Sequence, residues 1–297
     1  MRKIAVISIV LSLLIFNFSS LRAQSYYGRN ANRPYAYIGV TFGGGLNTLL
    51  YSTPGGTTSP AFGTDLGAHY THFFSSLGFG LGLHITSANA TTVYNFDEST
   101  PGLTHADNPG AHYTLNTHYA DWRERQHIVV LGIPVEGFFR AQMGGGRSLI
   151  AGVGVEVDMP MRGNYSGAGG SFTTTGVFPA LGTYPVGDMP EHGFSTYEAV
   201  PDAKIEDLKV GLSVIADLGV RLSLGVSGGV YIGVYGSYGL TDLLGDQQQG
   251  GPLLTISPTN AKQIVYNGTF ATGDVTGLHL LRVGVKVGID LGSPMDI

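Results

Sequence analysis

The sequence predicts an all-β protein, an eight-stranded antiparallel transmembrane β-barrel with short periplasmic turns and long extracellular loops. Three observations predict this fold: eight segments of alternating residue type, connections that are short and long in turn, and an N-terminal export signal. The composition agrees. Glycine supplies 46 of 297 residues and charged residues only 12%, about twice and about half their usual shares.

Composition also excludes several classes of protein. The chain has no cysteine, which rules out a disulfide framework, a cysteine nucleophile and a thiolate metal site. Its 16 tyrosines and 14 phenylalanines argue against a disordered chain. A pI of about 5.9 without a Lys/Arg cluster gives no electrostatic footprint for nucleic acid, so no nucleic-acid partner is expected.

Residues 1–23 read as a secretory signal peptide. Arg2 and Lys3 form the positive start, residues 4–18 the apolar core, and Ala23 the small residue at the cleavage site. The predicted organisation is therefore a signal peptide (1–23), an N-terminal periplasmic segment (24–34), an outer-membrane β-barrel (35–291) and a C-terminal tail (292–297).

Eight segments of the mature chain alternate between apolar residues and small or polar ones. Alternation with period two is the mark of a strand whose two faces meet different surroundings. In the clearest segment, Leu77, Phe79 and Leu81 are interleaved with Gly78 and Gly80. The predicted strands cover 36–43, 62–70, 77–86, 129–136, 149–158, 208–222, 230–238 and 281–291.

The two faces indicate lipid outside and a confined interior inside. The apolar face is almost free of charge, whereas the other face combines glycine with ions of both signs, as in transmembrane β-barrels. Eight strands enclose an interior just wide enough for side chains to fill, so these ions are expected to pair. The candidates are Asp65, Glu136, Glu156, Asp158, Lys209, Asp217, Arg221, Arg282, Lys286 and Asp290.

The connections predict the orientation. Short links at 75–76, 141–147 and 223–228 alternate with long ones at 47–60, 87–126, 159–207 and 241–277. This is the pattern of short periplasmic turns and long extracellular loops, which places both termini in the periplasm of a Gram-negative cell. Pro134 lies within a predicted strand and cannot donate to the ladder, so a bulge or a widened pair is expected there.

The loop at 87–126 carries polar groups that could do chemistry. His105, Asp107, His112 and His118 could hold a divalent metal or supply acid–base groups. Their spacings match no compact ligand motif, so surface residues are favoured, and no catalytic residue, metal or cofactor is expected. The segment 112–119 is expected to continue the fourth strand as half of a protruding hairpin.

Three features resemble a family of small outer-membrane β-barrels that includes PorT-like proteins and, more distantly, the OmpA-like barrel domain. They are the "VVLGIPVEGFFR" segment at 129–140, the "YGSYGLTDL" segment at 235–243 and the glycine-alternating last strand. The resemblance spans about 35–291. Such barrels often end in an aromatic residue, whereas this chain continues as 292–297. PorT-like membership would imply an accessory role in secretion.

The function expected from sequence is that of a non-enzymatic barrel. It would present extracellular loops for binding, adhesion, envelope organisation or an accessory secretion role. A narrow channel for ions or small solutes is the first alternative, and a loop-borne hydrolase the second. The expected partners are outer-membrane lipid, the outer-membrane assembly machinery and an envelope or secretion protein.

Overall fold

The computed structural model describes residues 35–182, 184–224, 228–244, 251–272 and 275–294. The predicted signal peptide at 1–23, the segment 24–34 and residues 295–297 of the predicted tail lie outside the described residues.

Strands dominate the described chain. In order they are β1 (Tyr35–Ser52), β2 (Gly56–Pro60), β3 (Phe62–Phe73), β4 (Leu77–Tyr94), β5 (Asp97–His105), β6 (Asn108–Gly144), β7 (Arg147–Val177), β8 (Thr196–Tyr197), β9 (Ala203–Lys204), β10 (Gly211–Leu224), β11 (Gly228–Gly239), β12 (Leu254–Ser257), β13 (Asn260–Tyr266) and β14 (Thr276–Pro294). Short 3-10 turns lie at Pro179–Leu181, Pro190–His192 and Thr269–Ala271. None of the described helical segments has the length and apolarity needed to span a bilayer.

Eight of these strands close into an antiparallel barrel, as the sequence predicted. The ring runs β1, β3, β4, β6, β7, β10, β11 and β14, and β14 pairs with β1 to complete it. Closure leaves no open edge in the ring, so its backbone groups are paired internally, which is the requirement for spanning hydrocarbon. Seven of the eight predicted strands are longer in the structure, most of all β6 and β7.

An apolar band covers the outside of the barrel. On β4 the outward residues from Leu77 to Ile85 are exposed apart from the half-buried Leu83, and on β14 those from Val283 to Leu291 are exposed. Each run is nine residues long, close to the roughly 9–11 residues of a membrane-spanning strand. The band continues on the other ring strands through Val40, Phe42, Leu66, Val135, Phe139, Val153, Val155, Leu212, Val214, Leu218, Ile232 and Val234.

The polarity of the wall inverts above this band. On β6, the outward residues Arg123 and Arg125 are exposed, whereas the inward residues Trp122 and Glu124 are fully buried. Charged groups on the outward face mark the end of the lipid-facing surface. The wall continues beyond it as an extension formed by β5 and by residues 87–94, 108–128 and 159–177.

The predicted long loops are therefore largely sheet. β5 pairs with β6, placing Asp97 opposite His118 and Thr104 opposite His112, which confirms the expected hairpin at 112–119. β2 adds to β4, and β8 and β9 add to β7. The links predicted at 87–126 and 159–207 thus contain more strand than the hairpin expected at 112–119, because the lipid-facing alternation that marked the predicted strands ends where the lipid-facing surface ends.

The opposite end of the barrel has tight connections. β3 and β4 are joined by residues 74–76, and β6 meets β7 at a turn of three glycines, Gly144, Gly145 and Gly146. All three have φ between 60° and 79°, a conformation that glycine adopts without steric cost. We call this the short-turn end; most of the third turn, 225–227, lies outside the described residues.

Pro134 sits in β6 without shifting its register. Leu81 faces Val135 and His84 faces Gly132, but pairing with β4 lapses at residues 82–83 between them. The β4–β6 pairing is therefore interrupted beside Pro134 without a bulge, because the register is the same on both sides of the gap.

The face assignment predicts a penalty for charge in the apolar band. Val287→Arg places a cation near the middle of the band on β14 and should destabilise the barrel by about 2–4 kcal/mol. The matched control is Thr276→Arg, on an exposed residue of the same strand outside the band, which should change stability by less than about 0.5 kcal/mol. Urea unfolding from lipid vesicles measures both. Equal effects of the two substitutions would contradict the position of the band.

Candidate functional site

The interior at the level of the band is organised around Arg282. Its Nη1 donates to Glu156 Oε1 at 2.5 Å, and its Nη2 donates to Ser237 Oγ at 2.6 Å. Asp158 Oδ1 lies 3.5 Å from Nη2, an ion-pair contact without a hydrogen bond. Arg282, Glu156 and Asp158 are each at most 2% exposed. One guanidinium thus neutralises much of the charge of two buried carboxylates.

Two further ion pairs lie on the inward face. Lys286 Nζ is 3.2 Å from Asp217 Oδ2, and the Tyr231 hydroxyl donates to Asp217 Oδ1 at 2.8 Å. Arg221 binds both carboxylate oxygens of Asp290, with Nε 2.8 Å from Oδ2. The inward parity of their strands brings these residues together across the barrel.

The remaining sequence candidates are placed differently. Asp65 accepts a hydrogen bond from Thr86 Oγ1 at 2.6 Å, and Glu136 lines a cavity beside Asp217 and Lys286. Lys209 is exposed and lies before β10, outside the interior. The sequence pattern placed it inside because apolar alternation continues to residue 208, whereas the strand itself begins at Gly211.

Sequence reasoning missed His84 as a member of this network. Its Nδ1 lies 2.9 Å from Glu156 Oε2, on the side of the carboxylate away from Arg282. The alternation in β4 predicts that His84 lies on the inward face. Its partner Glu156 lies on β7, far away in sequence, and alternation alone does not predict which residues of β4 and β7 face each other.

Side chains occupy much of the interior. Two cavities beside the ion pairs measure about 30 Å³ each, room for about two waters apiece. At the short-turn end, a mostly aromatic cluster packs inside the barrel, formed by Tyr35, Tyr37, Phe73, Phe138, Ile150 and Tyr231. Phe73 belongs to this cluster and is fully buried.

A second unit closes the other end. Residues 251–272, which we call the cap, contain the β12–β13 hairpin and the Thr269–Ala271 turn. The cap packs on the inward face of the extension, where Trp122 Nε1 donates to the Tyr266 hydroxyl at 2.9 Å. Tyr165 donates to the Tyr266 carbonyl at 2.8 Å. The largest buried hydrophobic cluster of the described residues lies at this contact.

Glu124 is the polar centre of the cap contact. Its carboxylate accepts from the Tyr266 hydroxyl at 2.7 Å, from Gln126 Nε2 at 2.8 Å and from the Thr269 amide at 3.0 Å. Glu124 has no exposed surface. Desolvation raises the pKa of this carboxyl above its usual 4.5, although the three donors lower it in part.

The tip of the extension holds a pocket of about 490 Å³. Its walls combine aromatic and aliphatic side chains, including Phe178, Val186, Met189 and Phe194, with three histidines, His105, His112 and His192. Pockets that bind small ligands are concave, mostly apolar and furnished with a few polar groups. The tip pocket has this composition.

The other loop histidines are spread over the extension. His112 Nδ1 lies 3.3 Å from Thr104 Oγ1, and His118 Nδ1 lies 2.7 Å from Asp97 Oδ1. A hydrolase at the rim of the barrel would need a histidine paired with a carboxylate, as His118 is with Asp97. Both of these side chains, however, are more than 60% exposed to solvent. The nearby Ser99 hydroxyl donates to Asn116 instead of to this pair.

No protein-family model matches the chain, and no curated protein matches it by sequence. Several solved structures are similar to it. Neisserial surface protein A is 8% identical, with 86% of this chain and 96% of that chain covered and a TM-score of 0.34. Outer membrane protein OprG from Pseudomonas aeruginosa is 11% identical, with 90% and 98% covered and a TM-score of 0.30.

A third is Ail, the attachment invasion locus protein of Yersinia pestis, solved in complex with the heparin analogue sucrose octasulfate. It is 8% identical, with 86% of this chain and 99% of that chain covered and a TM-score of 0.25. At these identities and TM-scores we carry no function over from the three proteins. The geometry of this chain has to support its own function.

Removal of the central cation should destabilise the interior. Arg282→Met leaves Glu156 and Asp158 buried beside an apolar side chain, and we expect a loss of about 3–5 kcal/mol. The matched control is Arg125→Met, at an exposed arginine on the outward face of the extension, with an effect within about 0.5 kcal/mol. Urea unfolding in vesicles measures both. If the two variants lose the same small amount, Arg282 does not hold the interior together.

The cap contact should weaken as pH rises. Because the folded pKa of Glu124 lies above 4.5, the folded state binds more protons than the unfolded state above about pH 4.5. The contribution of Glu124 to the free energy of unfolding therefore decreases as the pH rises from about 4.5 to the pKa of Glu124 in the folded state. The decrease is at most about 1.4 kcal/mol per pH unit. Glu124→Gln, which is uncharged and nearly the same shape, should remove this slope. An unchanged slope in urea titrations of Glu124→Gln between pH 4.5 and 8 would contradict the assignment.

Proposed function

We propose that this chain is a non-enzymatic integral protein of a Gram-negative outer membrane, and that its extension is a binding platform at the cell surface. In this arrangement the long-link end faces outward and both termini lie in the periplasm. The predicted export signal at 1–23 and the alternation of short and long connections support the orientation.

One observation carries the proposal. Side chains occupy the inside of the barrel at three levels: aromatic residues at the short-turn end, ion pairs at the level of the band, and the cap above it. The wall nevertheless continues far past the band, because β6 alone has about 20 residues in the extension. A closed barrel with a long, folded extension suits display of a surface better than transport.

The partner proposed for this platform is an envelope or secretion protein. The pocket at the tip offers apolar walls and polar histidines on a rigid sheet, and binding groups are often presented on segments held by such scaffolds. We also propose, as part of the same hypothesis, that the chain is related to PorT-like and OmpA-like barrels. Outer-membrane lipid covers the apolar band, and insertion would depend on the outer-membrane assembly machinery.

Cysteine labelling tests the orientation, because the natural chain has no cysteine. Tyr184→Cys, at an 85% exposed site near the tip, should react with a membrane-impermeant maleimide on intact cells. The matched control is Met143→Cys, 49% exposed at the short-turn end, which should react only after lysis. The reverse pattern would overturn the orientation, and with it the display of the tip at the surface.

Conductance separates the binding platform from the channel alternative. The unmodified protein in planar bilayers should show no steady current, since side chains occupy much of its interior. Steady channels of nanosiemens scale would overturn the proposal in favour of a pore.

A further inference from the structure

The tip of the extension brings three metal-ligating side chains together from two distant segments. His105 ends β5, Asp107 follows in the β5–β6 turn, and His192 ends the Pro190–His192 turn. One ligand atom from each lies within 4.8 Å of the other two. His105 is 8% exposed, so one of the imidazoles is fixed within the fold rather than extended into solvent.

The two imidazoles approach each other directly. His105 Nε2 lies 2.9 Å from His192 Nδ1. The Asp107 amide donates to His105 Nδ1 at 3.2 Å, so in the neutral ring the proton belongs on Nε2, between the two imidazoles. A single hydrogen then joins two nitrogens that are both good metal ligands.

We propose that a divalent metal ion of the zinc class binds at this point, held by His105, Asp107 and His192. Coordination through Nε2 moves the proton of the His105 ring to Nδ1, which ends the contact with the Asp107 amide. The β5–β6 turn is then released to bring the Asp107 carboxylate onto the metal. The ion links the β5–β6 hairpin to the segment at 189–194.

The two imidazoles need little adjustment. Zinc–nitrogen bonds of about 2.0–2.1 Å in a tetrahedral site place two nitrogens about 3.3–3.4 Å apart. The observed 2.9 Å between His105 and His192 would have to open by about half an ångström, within the reach of side-chain rotation for the half-buried His192.

The ligand set selects the class of metal. Two imidazoles and one carboxylate suit zinc and neighbouring transition metals, whereas calcium and magnesium prefer all-oxygen sites. Three protein ligands leave a fourth position for water or for a group supplied by another molecule. His105 and His192 both line the tip pocket, so this position opens toward it.

Metal binding does not depend on the proposed surface role, since it is a property of the purified chain. A failure of the zinc experiment would leave the orientation and conductance results untouched, and a failure of those would leave the metal site untouched.

Calorimetric titration of zinc into the full mature chain tests the site. The protein should be prepared in detergent micelles and without a histidine tag. We expect one zinc per chain, and His192→Ala should weaken binding by more than about tenfold. Asp107→Asn should weaken it less. Magnesium at the same concentration should not bind.

His118→Ala is the matched control, because His118 is also a histidine of the extension beside a carboxylate, Asp97. It should leave zinc affinity unchanged, and circular dichroism should show each variant folded. The proposal is overturned if the natural chain binds no zinc, if His192→Ala binds as tightly as the natural chain, or if His118→Ala loses as much affinity. The last result would mean that zinc binds to scattered surface histidines. The chain has nine histidines in all.

Discussion

The closed ring of backbone hydrogen bonds is the constraint on which the rest of the structure depends. Closure fixes which side chains of each strand point inward, and β6 keeps this assignment from Glu136 at the level of the band to Trp122 in the extension. What changes along the strand is the surrounding medium. On the band side of about residue 127 of β6, the outward face meets lipid and must be apolar. On the extension side, the outward face meets water, and the apolar residues lie on the inward face. The cap covers that inward apolar face and shields it from water.

The charges inside the barrel follow from the same closure. A carboxylate on the inward face cannot reach bulk water, so it must be paired or bear a large desolvation cost. Arg282 meets this need for Glu156 and Asp158, and Arg221 does so for Asp290. These pairs, with the aromatic residues below them, occupy the space through which solutes would pass. Most of the interior ions that the sequence predicted to pair are thus paired with one another between different strands of the ring.

The sequence predicts the membrane part of the fold well, because lipid enforces strict alternation over about nine residues per strand. The same reasoning predicts little of the extension beyond the hairpin at 112–119, for three physical reasons. Its apolar residues lie on the opposite parity, as Trp122 beside Arg123 shows. The backbone at Asp121 has a positive φ of 49° and a register shift beside it, which changes the parity again toward Tyr119. The cap contact joins Glu124 to Tyr266 across 142 residues, and no local pattern carries that distance. The interior ions were identifiable by type and parity, while their partners required the register of the ring.

The tip pocket is not explained by the constraints that account for the rest of the described structure. Lipid explains the outward apolar band, ion pairing explains the interior charges, and the cap explains the inward face of the extension. A cavity of about 490 Å³ with aromatic walls, farthest from the membrane, is stabilised by none of these. Filling it with larger side chains would give a tighter fold, since unfilled apolar space forfeits packing contacts. Its presence beside His105 and His192, on a rigid sheet with a closed barrel beneath, therefore favours binding at the tip as the reason that the wall extends so far.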